Sequence, residues 1–499
     1  MSRGRRTTSR WLALLAALAL ALPVGAPAGA APRRDRALEA QLRAHIDVLA
    51  SDAFEGREPG TEGEAKTLRY LARQWFDIGL ASGTNSPGND WFVPIELVAR
   101  EPAASTAQFT RRGRHFFMTP AEGLVLTSGK RALLRDAPVL FVGKGTTVPV
   151  RNELAGRVAL LLDAGIDGGE RQDAMIAGGA AAVITVLDGE RTLASVAARR
   201  QRSGYALASD ALGGDLEGYL TAAGLNRIFT GSSLTIAALR TESEKADFAP
   251  RLLDFTASIE ATTRETKIRT HNLIGKLPGR RPESGAVLFV AHWDHFGVCG
   301  AESAEDRICN GAIDNASGVA AITEVARRLA RGPQLERDVY FLATTAEELG
   351  LLGAHAFADN PPVPLSQIVA AFNLDSIALA PAGSPLAIVG RGMTPLDAEI
   401  AKVARMQKRK LVDGDAANAY VKRQDGWALL QHDVSTVMVT SAYSDLARVE
   451  SFFDGDYHRP SDGMANRTIE LGGAAEDVAF HVALGRWFAD PRKVPLKVK

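Results

Sequence analysis

AVLFVAHWDH (residues 286–295) runs six apolar residues directly into His292, Trp293, Asp294 and His295. A short apolar run of this kind reads as a strand buried on both faces, delivering polar groups at its carboxyl end. Four later segments repeat the design. DVYFLAT (338–344) leads into Ala346-Glu347-Glu348, and QIVAAFNL (367–374) ends at Asp375. PLAIVG (385–390) is a further apolar run, and STVMVT (435–440) is followed, past a loop, by Asp456-Tyr457-His458. Between the strands lie helical stretches such as GVAAITEVARRLA (318–330), in which Val319, Ile322, Val325, Ala326 and Leu329 share one face. From about residue 268 onward this alternation predicts an α/β fold, a sheet covered by helices on both faces. Such sheets gather their chemistry at the carboxyl ends of the strands.

Singly, these polar residues have ordinary readings. A histidine or aspartate at a strand end is usually a satisfied loop residue, and an adjacent glutamate pair is usually solvated. Here they follow successive apolar strands at one sheet edge, with Asp314-Asn315 just before the helix that begins near Ser317. Like charges gathered there repel unless a cation holds them, so the pattern points to a metal site.

The segments AHWDH, GAIDNASG, ATTAEELGLLGAHAF, FNLDS and DYHRPSD, in this order, closely resemble the co-catalytic di-zinc aminopeptidases of metallopeptidase family twenty-eight. Relatives of that family include glutamate carboxypeptidases and glutaminyl cyclases. The resemblance covers the catalytic third and the N-terminal helices with GREPGTEG. It implies a zinc-exopeptidase-type central mixed β-sheet flanked by helices, and two Zn²⁺ ions per chain. Asp314 would bridge the metals, Glu348 and His458 would complete one site, and His292 with Asp375 the other. Imidazole and carboxylate donors agree with zinc. Asp294 is expected to orient His292 through its far ring nitrogen, and Glu347 to serve as general base. His295 is read as a neighbour of the ligands, and His355, His432 and His481 as structural or surface residues. Tyr457 is open between oxyanion contact and packing, while Asn315 and Ser317 shape the turn behind Asp314.

The remaining chain divides in three. Arg3, Arg5, Arg6 and Arg10 precede the apolar WLALLAALALAL, and Ala28-Gly29-Ala30 offers a small-residue cleavage site. Residues 1–30 are therefore predicted to be a signal peptide, giving an exported, periplasmic or secreted protein. No later stretch is apolar enough to cross a membrane. Residues 31–110 read as N-terminal helices of the catalytic domain, with Leu38, Leu42, Ile46 and Leu49 on one face and Ala65, Leu68, Leu71 and Trp75 on the next. Residues 111–255 form a β-rich insert carrying VLFVG (139–143), RVALLLD (157–163) and AAVITVL (181–187). Its one histidine is His115, and no acidic pair ends a strand, so binding or gating suits it better than catalysis. It resembles a protease-associated domain, and residues 256–499 are the expected peptidase domain.

Lys plus Arg equals Asp plus Glu at 58 each, which gives no reason to expect a nucleic-acid partner. Cys299 and Cys309 lie in a polar loop, where export makes a disulfide the expected state and two free thiols the alternative. Neither G-x-S-x-G nor H-E-x-x-H occurs, which disfavours a serine hydrolase and a zincin. The reading is an aminopeptidase acting on peptides with a free N-terminus. A carboxypeptidase or dipeptidase is the near alternative, with Arg391, Lys422 and Arg423 as the candidate donors to a free substrate carboxylate. A peptide-binding protein with a structural metal is the alternative of a different class.

Overall fold

The computed structural model describes residues 34–496 apart from 164, 166, 167, 188, 190, 203, 211–214 and 466–468; the expected signal peptide lies outside them. Helix α1 (Arg36–Leu49) starts where the Asp35 carboxylate accepts the Leu38 N–H at 3.0 Å. It buries Leu38, Leu42, Ile46 and Leu49, the stripe its periodicity predicts. Helix α2 (Glu62–Ile78) buries Leu68, Leu71 and Trp75 and stops at Gly79, whose φ of 91° closes it with a left-handed cap.

The strands follow as β1 (Phe92–Arg111), β2 (Gly123–Thr127), β3 (Arg131–Phe141), β4 (Val158–Leu162), β5 (Ala182–Val186) and β6 (Leu216–Leu220). Then come β7 (Arg251–Leu277), β8 (Ala286–His292), β9 (Asp338–Thr344), β10 (Ile368–Asn373), β11 (Ala387–Val389) and β12 (Thr436–Thr440). They hydrogen-bond in the order β11-β12-β10-β8-β9-β7-β3-β4-β5-β6-β2, and β1 pairs along β7. The sheet is mixed. β8 is parallel to β9 and β10, and β10 to β12, whereas β7 is antiparallel to β9 and β11 to β12.

Side-chain alternation assigns each central strand to two cores. Val287, Phe289 and Ala291 of β8 face a large cluster with Leu42, Trp75, Ile322 and Leu484. That cluster packs α1, α2, α3 (Ser317–Ala330) and α5 (Leu471–Phe488) on one side of the sheet. Leu288 and Val290 face the other side, with Tyr340, Leu342, Phe357 and Leu429. A further core in the middle segment joins Phe109, Phe141, Leu160, Ile184 and Phe255. The sequence pattern did not disclose β1 and β7, long ribbons that cross the expected divisions at 110/111 and 255/256.

Candidate metal centre

Each candidate ligand is delivered by a segment whose hydrogen bonds fix it. His292 is the last residue of β8; Glu347 and Glu348 follow β9, and Asp375 follows β10 by two residues. Asp314 lies in the turn before α3, and His458 follows α4 (Leu446–Gly455). Ala346, Ser376 and His458 adopt φ of 52°, 49° and 58°, left-handed conformations uncommon outside glycine, beside or at three of these positions.

The turn at Asp314 is tied into the sheet edge from several sides. Asn315 Oδ1 accepts the Gly318 N–H at 2.8 Å, and its Nδ2 donates to the Leu374 carbonyl at 3.1 Å. Ser317 Oγ donates to the Ile313 carbonyl and accepts the Ile377 N–H. These two residues hold the turn, as their positions suggested.

The five side chains expected to bind metal come together. Asp314 Oδ1 lies 3.2 Å from His292 Nε2, and Asp314 Oδ2 lies 3.4 Å from His458 Nε2. Asp375 Oδ1 is 3.6 Å from His292 Nε2, and Glu348 Oε2 is 2.9 Å from His458 Nε2. Glu347 Oε2 stands 3.8 Å from His292 Nε2. Ligand atoms of His292, Asp314 and Asp375 all lie within 4.8 Å of one another, and so do those of His295, Asp314 and Glu348.

One contact differs from the expected pattern. The Asp294 carboxylate is 3.8 Å from His292 Nδ1, whereas the Asp294 backbone carbonyl is at 3.2 Å. The carboxylate instead accepts the backbone N–H groups of Glu347 and Glu348, at 3.2 and 3.4 Å. His295 neighbours the candidate ligands, with Nδ1 2.6 Å from Glu348 Oε1.

Charge is concentrated here. Burial pushes the Asp294 carboxyl up to about 7 and Glu347 well above its usual range, the His292 charge opposing both shifts. Burial disfavours the charged His458 ring, but Asp314 and Glu348 outweigh it and raise the ring to about 9. A buried aspartate that sequence reasoning did not single out, Asp425, accepts from Thr344 Oγ1 and is raised by burial to about 6. His292 Nε2 and His458 Nε2 are buried without a hydrogen-bond partner. Unpartnered imidazole nitrogens facing carboxylates form a donor set that fits divalent zinc.

Other candidates lie elsewhere. His355 and His432 pair their rings at 6.1 Å, and His481 is buried in the core. Tyr457 stacks on His458, with ring centroids 3.5 Å apart. Lys422 lies over Trp427, whereas Arg423 lies over Phe453 and Tyr457, on the His458 side. Cys299 and Cys309 form a disulfide with a Cα–Cα distance of 5.7 Å. No described helix is long and apolar enough to cross a membrane.

A mixed sheet between helical layers thus brings histidines and carboxylates together at its strand ends. Residues 272–483 match the family described as Peptidase family M28. Aminopeptidase YwaD of Bacillus subtilis (strain 168) is 29% identical over 150 residues, a match spanning 30% of this chain and 30% of that relative. Among solved structures, an aminopeptidase from Aneurinibacillus sp. strain AM-1 covers 92% of this chain and 96% of its own, with TM-score 0.55 and 18% identity. At that identity the likeness establishes the fold. BSAP, a zinc aminopeptidase from Bacillus subtilis, covers the same shares at 17% identity and TM-score 0.46.

Proposed function

We propose that this chain is an exported, zinc-dependent aminopeptidase that removes N-terminal residues from peptides. The observation that carries the reading is the division of the Asp314 carboxylate, one oxygen toward His292 and the other toward His458. His292, Asp314 and Asp375 would hold one ion; Asp314, Glu348 and His458 would hold the second. His295 is assigned to the hydrogen bond with Glu348, because its Nδ1 is already engaged there. His458 Nε2 faces both Asp314 and Glu348, at 3.4 and 2.9 Å; it shares with His295 Nε2 the lack of a hydrogen-bond partner.

When bound, two such ions acidify a water and polarise the scissile carbonyl. Glu347 stands beside the cluster and outside both ligand sets, so its Oε2 takes the proton from the attacking water and passes a proton to the leaving amine. The Asp294 carboxylate holds the backbone amides of Glu347 and Glu348, which sets the direction of the base. We read residues 31–110 and 256–499 as the catalytic part, and residues 111–255 as a protease-associated-like insert with its own core. The basic n-region, apolar run and Ala28-Gly29-Ala30 support removal of residues 1–30 on export.

The test compares free and N-acetylated peptides with and without chelator. Cleavage of free peptides alone, abolished by chelator and restored by zinc, is the expected result. Cleavage that survives acetylation removes the aminopeptidase assignment in favour of a carboxypeptidase. One tightly held zinc with no chelator-sensitive hydrolysis favours a binding protein.

A further inference from the structure

Behind the candidate ligands lies a second set of contacts, made by two buried residues outside both ligand sets. Arg57 is 1% exposed, and the nearby carboxylates Asp462, Asp294, Asp314 and Glu348 act on its charge through space rather than as hydrogen-bond partners. Its guanidinium donates instead to backbone carbonyls: Nε to Trp293 at 2.9 Å, Nη1 to Leu49 at 2.9 Å and to Asn310, and Nη2 to Gly311 at 2.9 Å. Asp462 is 0% exposed and does the converse. Its Oδ1 accepts the Ile313 N–H at 2.9 Å, its Oδ2 accepts the Asp314 N–H at 3.0 Å, and its backbone carbonyl accepts the Ala312 N–H at 3.0 Å.

Five successive residues, Asn310 to Asp314, are thus gripped by opposite polarities, carbonyls by the cation and amides by the aspartate. The grip extends to the other ligands. Arg57 also holds Trp293, the residue after His292, and Asp462 lies four residues after His458 on the same turn-rich segment. Gly311 leaves no slack between the two: φ is 53°, and a Cβ there would stand 2.0 Å from the Asp314 carbonyl oxygen. Burial disfavours the Arg57 charge while Asp462, Asp294, Asp314 and Glu348 favour it through space, which ties the guanidinium to this acidic cluster, and groups that orient ligands govern metal affinity.

We propose that Arg57 and Asp462 are a pair of positioning residues that set Asp314 relative to His292 and His458, and so set the spacing of the two metal sites. The proposal rests on the reading of this cluster as a metal centre. Asp462→Asn keeps the size of the side chain but turns a donor toward one of the two N–H groups. Arg57→Lys keeps the charge and cannot reach carbonyls on three segments at once.

The experiment titrates the full mature chain with zinc against a chromophoric chelator, alongside circular dichroism and kcat and KM for a free peptide. Asp462→Asn and Arg57→Lys are expected to keep the wild-type spectrum and KM, and to weaken zinc binding and kcat about tenfold or more. The double variant is expected to lose less than the product of the two single losses, because both act on the same turn. In Arg57→Ala, added guanidinium is expected to recover part of the zinc affinity. If Arg57→Ala does not fold, the isosteric Asp462→Asn still decides the matter. Wild-type zinc affinity and kcat in the folded single variants, or strictly multiplicative losses, would overturn the proposal. Wild-type chain that takes up no zinc, or Asp314→Ala that takes up as much as wild type, would instead mark failure of the metal-centre reading.

Discussion

Asp294 meets Glu347 through the backbone: its Oδ1 accepts the Glu347 N–H at 3.2 Å, while His292 Nδ1 turns to the Asp294 carbonyl. The carboxylate therefore acts on the acid pair more directly than on the histidine. Asp294→Asn is expected to lower kcat by about 10–100-fold while leaving two zinc ions bound. Parallel measurement of turnover and metal content checks this. Loss of one zinc with an unchanged rate per remaining site would return Asp294 to the histidine.

Glu347 is expected to be dispensable for metal and indispensable for turnover. Glu347→Gln keeps the volume of a side chain with only 10% exposure and removes its proton-accepting capacity. The expected loss in kcat is about 10²–10⁴-fold with zinc content unchanged. Full activity in this variant removes Glu347 from the base role.

The two histidines beside Glu348 should separate under metal analysis. His458→Ala is expected to lose one equivalent of zinc. His295→Ala, which breaks the 2.6 Å contact to Glu348 Oε1, is expected to keep both ions with weaker affinity on that side. The reverse pattern would exchange their roles.

The Cys299–Cys309 bridge lies against the His458 carbonyl, with sulfurs at 3.9 and 3.8 Å. Opening its loop frees the backbone next to a proposed ligand and enlarges the unfolded ensemble. Cys299→Ser with Cys309→Ser is expected to cost about 2 kcal/mol of stability and to weaken zinc retention. A denaturant melt and a chelator competition read the two effects. Unchanged zinc retention despite a lower melt would confine the bridge to stability.

His481 supplies an acid-sensitive term outside the candidate ligand set. Its ring packs near Phe289, Phe372 and Phe480, and its Nδ1 lies 2.8 Å from the Asp477 carbonyl. Burial pushes its pKa down to about 4, against about 6.5 unfolded. Above that value neither form is protonated and the contribution is fully present. As pH falls toward 4 the unfolded chain takes up a proton that the folded chain refuses, and up to about 3 kcal/mol is lost. Asp477, raised by burial to about 6, has the opposite slope, so the comparison with a variant isolates the histidine. His481→Leu is expected to gain stability relative to wild type as pH falls from 6.5 to 4. Parallel stability curves would discard the term.

The catalytic sheet was legible because its strands are buried on both faces, and apolar runs such as Ala286–Ala291 carry that burial in plain composition. The candidate ligands were legible because strands end at them and a family pattern repeats them in order. Ribbons β1 and β7 were missed although Leu253, Phe255, Ala257, Ile259 and Ala261 of β7 are buried in strict alternation. That period-two signal lapses over the exposed residues 264–267, so the continuity of the ribbon was not legible. Arg57 and Asp462 stood in quoted motifs, GREPGTEG and DYHRPSD, yet their partners are backbone groups of segments far away in sequence. No side-chain pattern announces a contact with a carbonyl. Asp294 was read for the histidine two residues before it, but its carboxylate found amides 53 and 54 residues on.

Strand β7 spans Arg251–Leu277, pairing with β3 near its start, with β9 near its end and with β1 along most of its length. It works as a beam. Rotation of the middle segment as a rigid lid would bend a doubly paired ribbon and break successive ladder bonds. The ladder that joins the middle segment to the central sheet therefore also resists any twist between them.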